Sequence, residues 1–140
     1  KTKNVACIYG MYNLLMTAAY NDQMNYFVLW GDDIEATNVN WLPSVVARFE
    51  KYYEKTGVQG LGCVALFDSS SPGMPTFPVV HRRHYEIFGG FCSNEFINQD
   101  ADPYVFELYR RFNCSSFIKD VEIWNKIGGT METGVEPRYV

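Results

Sequence analysis

The chain has no long apolar run, no Cys-x-x-Cys pair and no basic stripe, and each absence removes a class of function. No segment approaches the roughly 20 consecutive apolar residues that a membrane-spanning helix needs. The opening Lys-Thr-Lys-Asn leads into an amphipathic stretch with neither an apolar signal core nor a small-residue cleavage site, so it does not read as a signal peptide. A first residue other than Met suggests a processed or partial product. Cys7, Cys63, Cys92 and Cys114 are scattered, which argues against a zinc site. Their spacing suits secretory-pathway disulfides and buried thiols equally, so localisation is undecided between Golgi or ER and cytoplasm. A net charge of −4 and isolated pairs Arg82-Arg83 and Arg110-Arg111 argue against nucleic acid as a partner. No repeat, low-complexity tract or linker divides residues 1–140, so they are taken as one unit.

Aromatic residues are abundant: 10 Tyr, 10 Phe and 3 Trp in 140 residues. In a chain long enough to bury a core, that load implies a large interior, an aromatic-lined cleft or a buried partner surface.

Hydrophobic spacing predicts a helix over 5–20, with Val5, Ile8, Tyr12, Leu15, Met16 and Ala19 on one face, Asn4 as cap and Asn21-Asp22 as stop. A short apolar strand over 26–30, buried on both faces, then ends in Gly31-Asp32-Asp33. A second helix is expected over 42–55, with Pro43 in its first turn and Gly57 past its end. Strands follow at 62–67 and 77–80 around a loop at 68–75, then a short helix at 84–88 stopped by Gly89-Gly90. A helix over 101–112 is capped by Asp100 or Asp102 and turns Val105, Leu108, Tyr109 and Phe112 inward; a strand covers 118–124, and the Gly-rich end reads as loop. This alternation predicts an α/β fold with a mixed, mostly parallel sheet flanked by helices.

Three clusters are candidates for chemistry. Asp32 and Asp33, with Glu35 nearby, stand at the carboxyl end of a strand, where open α/β sheets bind ligands. Adjacent carboxylates repel unless a cation neutralises them, and hard oxygen ligands suit Mg²⁺ or Mn²⁺; a solvated turn explains the spacing as well. Asp100 and Asp102 open a helix, where the dipole keeps a carboxylate ionised and able to accept a proton from a sugar hydroxyl, although plain capping also accounts for them. In Val80-His81-Arg82-Arg83-His84, a histidine could complete a metal shell and Arg82 could offset diphosphate charge; a packed histidine is the simpler reading. Trp41 offers a sugar-stacking platform, or a staple for the helix after it.

The order of these pieces is more specific than any one of them. The segments Asn25-Tyr26-Phe27-Val28-Leu29-Trp30-Gly31-Asp32-Asp33-Ile34-Glu35, Asn40-Trp41-Leu42, Gly57-Val58-Gln59-Gly60, Phe77-Pro78-Val79-Val80-His81-Arg82-Arg83-His84-Tyr85-Glu86-Ile87-Phe88-Gly89 and Asn98-Gln99-Asp100-Ala101-Asp102 follow one another. This succession resembles GT-A-type (Rossmann-like) glycosyltransferases with a DxD-type metal motif, over roughly residues 4–139. The resemblance implies that Asp33 and Asp32 hold Mn²⁺ or Mg²⁺ on a nucleotide-sugar diphosphate, with Asp32 and Arg82 at the nucleotide. Asp102, with Asp100 in reserve, is implied as the base on the acceptor, His84 as a group near the metal, and Trp41 as acceptor-binding. Gly31 departs from the Asn or Asp usual at the first motif position, and Pro103 stands where a second acid often follows.

GT-A folds begin with nucleotide-binding βαβ units. Against a usual domain size, about 100 residues are lacking upstream of Asp32. The chain is therefore expected to be the C-terminal portion of such a domain, either part of a longer protein or a short paralogue. Its expected function is sugar transfer from a nucleotide-sugar to a hydroxyl of a glycan or protein acceptor. The alternatives are a non-catalytic interaction subunit of a larger assembly, which includes a protein partner or the upstream segment, and a carbohydrate-binding module.

Overall fold

The computed structural model describes residues 7–96 and 100–126. Its elements run α1 (Ile8–Asn21), β1 (Tyr26–Val28), β2 (Ile34–Ala36), α2 (Trp41–Thr56), β3 (Cys63–Asp68), β4 (Val79–His81), α3 (Arg82–Phe88), α4 (Ala101–Arg110) and β5 (Ser115–Asn125). The five strands form one sheet in the order β1-β4-β3-β5-β2.

The α/β class expected from the alternating pattern is present, but the sheet is mixed rather than mostly parallel. Of the neighbouring pairs, β3 with β5 is parallel, while β1/β4, β3/β4 and β2/β5 are antiparallel. The physical reason lies in the connection from Asp68 to Val79. A parallel neighbour needs a crossover of a dozen or more residues, usually through a helix, and this loop is shorter and carries none. The chain therefore returns as an antiparallel strand. Because β4 opposes both β1 and β3, β1, β3 and β5 still point the same way, with their carboxyl ends at one edge of the sheet.

β3 is the centre of the core. Cys63, Val64, Ala65 and Leu66 are successively buried, which requires cover on both faces of the sheet, and α2 and α4 both pack against β3 and β5. On α2 the buried positions Val45, Phe49 and Tyr52 recur at helical spacing, and Gly57 ends the helix in the left-handed conformation that glycine adopts without strain. On α4 Val105 and Tyr109 face inward as expected, but Phe112 lies beyond the helix end and is largely exposed.

The first helix differs in its cap and at one residue of its face: Ile8, Tyr12, Met16 and Ala19 pack toward the core as expected. Its N-cap is Cys7, whose sulfur accepts from the Gly10 N–H, whereas Asn4 lies outside the described residues. Tyr9 and Met16 are its buried residues, while Leu15 is exposed. In β1, Phe27 is buried between two half-buried neighbours, so this edge strand is covered less fully than expected. The strand β2 is absent from the sequence reading. Three residues with an acid at the centre give no hydrophobic period, and pairing with β5 forms them into a strand. All four cysteines are free thiols. Among the described residues no helix is long and apolar enough to cross a membrane. The glycine-rich end and Asn98 lie outside the described residues.

Candidate functional site

At the carboxyl edge of β1, β3 and β5 lies a cleft of about 620 Å³. β1 delivers Trp30, Gly31, Asp32 and Asp33 to it; the loop after β3 delivers Ser71, Met74, Thr76 and Phe77; and Asn125 ends β5. The start of α4 adds Asp100, Asp102 and Pro103, and α1 closes the side with Tyr9, Met11, Tyr12 and Leu15. The Asp32-Asp33 and Asp100/Asp102 clusters, far apart in sequence, thus share one cavity. Among the described residues lining it there are four carboxylates and no Lys, Arg or His. Four like charges in one partly enclosed space favour a cationic occupant.

The acidic turn has a specific local geometry. The Ile34 N–H donates to the Gly31 carbonyl at 3.4 Å, and the Lys126 N–H donates to the Asp33 carbonyl at 2.9 Å, which ties the turn to the end of β5. A Cβ on Gly31 would sit 2.5 Å from Asp33 Oδ1. Gly31 therefore leaves room for the Asp33 carboxylate to fold back over the turn. A side chain at this position would push the Asp33 carboxylate aside. Glu35 leaves the site: it lies in β2 and pairs with Lys126.

Asp102 is held differently. Its Oδ2 accepts the Phe77 N–H at 3.0 Å, and the nearby Tyr9 hydroxyl also favours the charged carboxylate. Both contacts favour the ionised form, as does its place in the first turn of α4. Burial outweighs them and pushes the carboxyl up to about 6. Asp102 is thus ionised at neutral pH but close enough to it to take and return a proton. Asp100 occupies the N-cap position with φ +70°, is exposed, and makes no side-chain capping bond, so neither acid caps α4 through its side chain.

The loop that supplies Phe77 is anchored by a residue the sequence reading passed over as a loop boundary. Asp68, the last residue of β3, is 1% exposed. Its Oδ1 accepts the Ser70 N–H at 2.9 Å and the Ser70 hydroxyl at 2.6 Å, and its Oδ2 accepts the Thr76 hydroxyl at 2.9 Å. Phe77 itself has φ +49°. A non-glycine residue in that region costs about 1–3 kcal/mol and persists only where its surroundings over-determine it.

The other expected site residues lie elsewhere. His84 is 1% exposed in the core; Nδ1 meets the Tyr109 hydroxyl at 2.9 Å and Nε2 meets the Phe91 carbonyl at 2.8 Å. With both ring nitrogens engaged away from the cleft, it is not placed to complete a metal shell. Burial lowers its proton affinity to about 4, so it is neutral at physiological pH. His81 caps α3 by accepting the Arg83 N–H. The Arg82 guanidinium stacks 4.6 Å over Tyr20 and pairs with Glu86 across one helical turn, outside the residues lining the cleft. Trp41 packs against Trp30 with ring centroids 4.8 Å apart, so it supports the cleft wall, and Trp30 is the tryptophan that lines it. Trp30 Nε1 is buried without a hydrogen-bond partner among the described residues. Sequence periodicity did signal Trp30, as the end of an apolar strand, but could not place it at the cavity.

Among the described residues no three His, Cys, Asp or Glu side chains converge as a metal cage. A Mg²⁺-type site with a phosphate ligand does not need one: it uses one or two carboxylates and completes its shell with phosphate oxygens and water. Asp32 and Asp33 fit that mode. Compared with family models, curated proteins and solved structures, the chain matches none.

Proposed function

We propose that this chain is the acidic-motif portion of a GT-A-like, metal-dependent glycosyltransferase, which moves a sugar from a nucleotide-sugar donor to an acceptor hydroxyl. The observation that carries the reading is the convergence of Asp32-Asp33 and Asp102 on one cleft at the carboxyl edge of the sheet. Asp33 and Asp32 would hold Mn²⁺ or Mg²⁺. The bound ion would supply charge neutralisation to the leaving diphosphate. Asp102 accepts the proton of the attacking hydroxyl as its oxygen bonds to the anomeric carbon, while the bond from that carbon to the diphosphate breaks. Burial suits Asp102 to this role by raising its basicity. Asp100 stands at the same mouth, more exposed to water. Trp30, Tyr12 and Phe77 offer aromatic faces to a sugar ring. His84, Arg82 and Trp41 are left out of the machinery because they touch other partners.

The test is thermal unfolding with Mn²⁺ and a series of nucleoside diphosphates. At ligand a hundredfold over Kd, one nucleotide should add about 2.7 kcal/mol of stability, and Asp33→Asn should remove that gain. A folded protein that no nucleotide stabilises would refute the proposal for this chain.

A second reading, an interaction subunit, is favoured by one feature. Met11, Leu14 and Leu15 expose 54%, 74% and 59% of their surface on α1, and the outer edge of β1 has no strand partner among the described residues. It requires self-association or poor solubility of the isolated chain; a monomer at high concentration would exclude it.

A further inference from the structure

Thr76 and Phe77 lie on the loop between β3 and β4, and only Phe77 touches the proposed base. Its backbone N–H reaches Asp102 Oδ2 while its φ is +49°. That conformation has to be imposed by neighbours. Pro78, which follows, does not impose it, because a proline ring drives the residue before it toward extended backbone. On the preceding side, the Thr76 hydroxyl is bonded to the buried Asp68 carboxylate, and the Thr76 N–H donates to the Met74 carbonyl at 2.9 Å. Asp68 is fixed in turn, because it ends a strand paired to β5 at Ile123 and its other oxygen is occupied by Ser70.

We propose that Asp68 is a positioning residue for the transfer reaction: through Thr76 it sets the Phe77 N–H that holds the Asp102 carboxylate at the cleft. The inference rests on the proposed role of Asp102 as base and deepens it, since it assigns the order of the β3–β4 loop to that base. A carboxylate suits the task at position 68, because it accepts from Ser70 on one oxygen and Thr76 on the other at once. Ser71, Met74, Thr76 and Phe77 then present one fixed wall to the acceptor.

The ionisation of Asp102 reports the contact without any need for catalysis. Facing that carboxylate are the Tyr9 hydroxyl from α1, the thiols Cys92 and Cys63, and, around the same cavity, Asp32, Asp33, Asp100 and Tyr12. The Phe77 N–H favours the ionised form, so loosening it must make Asp102 harder to ionise. The experiment is a carbon-detected NMR titration of the Asp102 carboxyl in the wild-type chain, Thr76→Val, Thr76→Ser and Asp68→Asn. Thr76→Val, which keeps the shape and loses the donor, should raise the Asp102 midpoint. Thr76→Ser should restore the wild-type midpoint, and Asp68→Asn should move it in the same direction as Thr76→Val. An unchanged midpoint in Thr76→Val, or equal shifts in the Val and Ser variants, would overturn the proposal. Should Asp68→Asn fail to fold, the threonine pair still decides. If the chain transfers no sugar, the titration reads the same contact, so failure of the catalytic reading and failure of this one are separable.

Discussion

His84 is an ionisable side chain buried in the core and Asp102 one partly buried at the cleft, and desolvation moves both toward their neutral forms. They differ in what their polar atoms still have to do. The two nitrogens of His84 are used up by Tyr109 and Phe91 inside the core. The Asp102 carboxylate takes a donor from Phe77 but has about four acceptor positions, so it faces the cleft with capacity left. A polar group whose bonds are all satisfied internally fastens the structure. One held in place with open lone pairs at a cavity is available for chemistry.

The largest expected effect that could break this contrast is at Asp102. Asp102→Asn should lower transfer by about 10²–10⁴-fold, the usual worth of a general base. It should also stabilise the fold at neutral pH. The folded-state value of about 6 lies above the ordinary 3.8, so the folded chain binds more protons between those values, and Asp102 ionisation weakens it as pH rises through that window. Above pH 6 the variant should gain on the order of 2–3 kcal/mol, and below pH 4 nothing. Paired assays of transfer and denaturant unfolding at both pH values check this; a less stable variant at pH 7 would contradict it.

At His84 the signs reverse. Its folded-state value of about 4 lies below the ordinary 6.5, so the stability it brings is complete above pH 6.5 and is lost as pH falls toward 4. His84→Ala leaves the Tyr109 hydroxyl and Phe91 carbonyl unpaired beside a cavity and should cost about 2–4 kcal/mol in urea unfolding. The part that remains folded should keep its Mn²⁺–nucleotide stabilisation. The smallest effect is at Arg82, whose ion pair is partly exposed. Arg82→Ala should change stability by under about 1 kcal/mol and leave nucleotide binding intact in the same thermal assay, whereas lost binding would return Arg82 to the donor site.

The contrast also marks how far the sequence could be read. Helix α2 was legible from Pro43 in its first turn and Gly57 past its end, and α4 because Val105 and Tyr109 repeat at the spacing of a helix face. The acidic turn was legible because an apolar strand stops abruptly at Gly31. Strand direction was not, since pairing of β4 with β1 and β3 joins residues distant along the chain and leaves no local pattern. His84 and Asp102 looked alike as candidates for the same reason: local sequence gives residue types, while Tyr109, Phe91, Tyr9 and Phe77 reach them only through tertiary packing. Asp68 was taken for the start of a loop because its partners Ser70 and Thr76 are themselves loop-type residues. Leu15, expected on the inner face of α1, instead lines the cleft, while Ile8, Tyr12, Met16 and Ala19 of that face pack toward the core.

Paramagnetic broadening by Mn²⁺ in the presence of a nucleoside diphosphate tests the central claim most directly, because it maps the metal onto one region or the other. The account predicts that amide signals of Gly31, Asp32 and Asp33 vanish first and those of Tyr12 and Thr76 weaken, while the His84 and Tyr109 signals survive. Broadening centred on His84, or spread evenly over the surface, would contradict it.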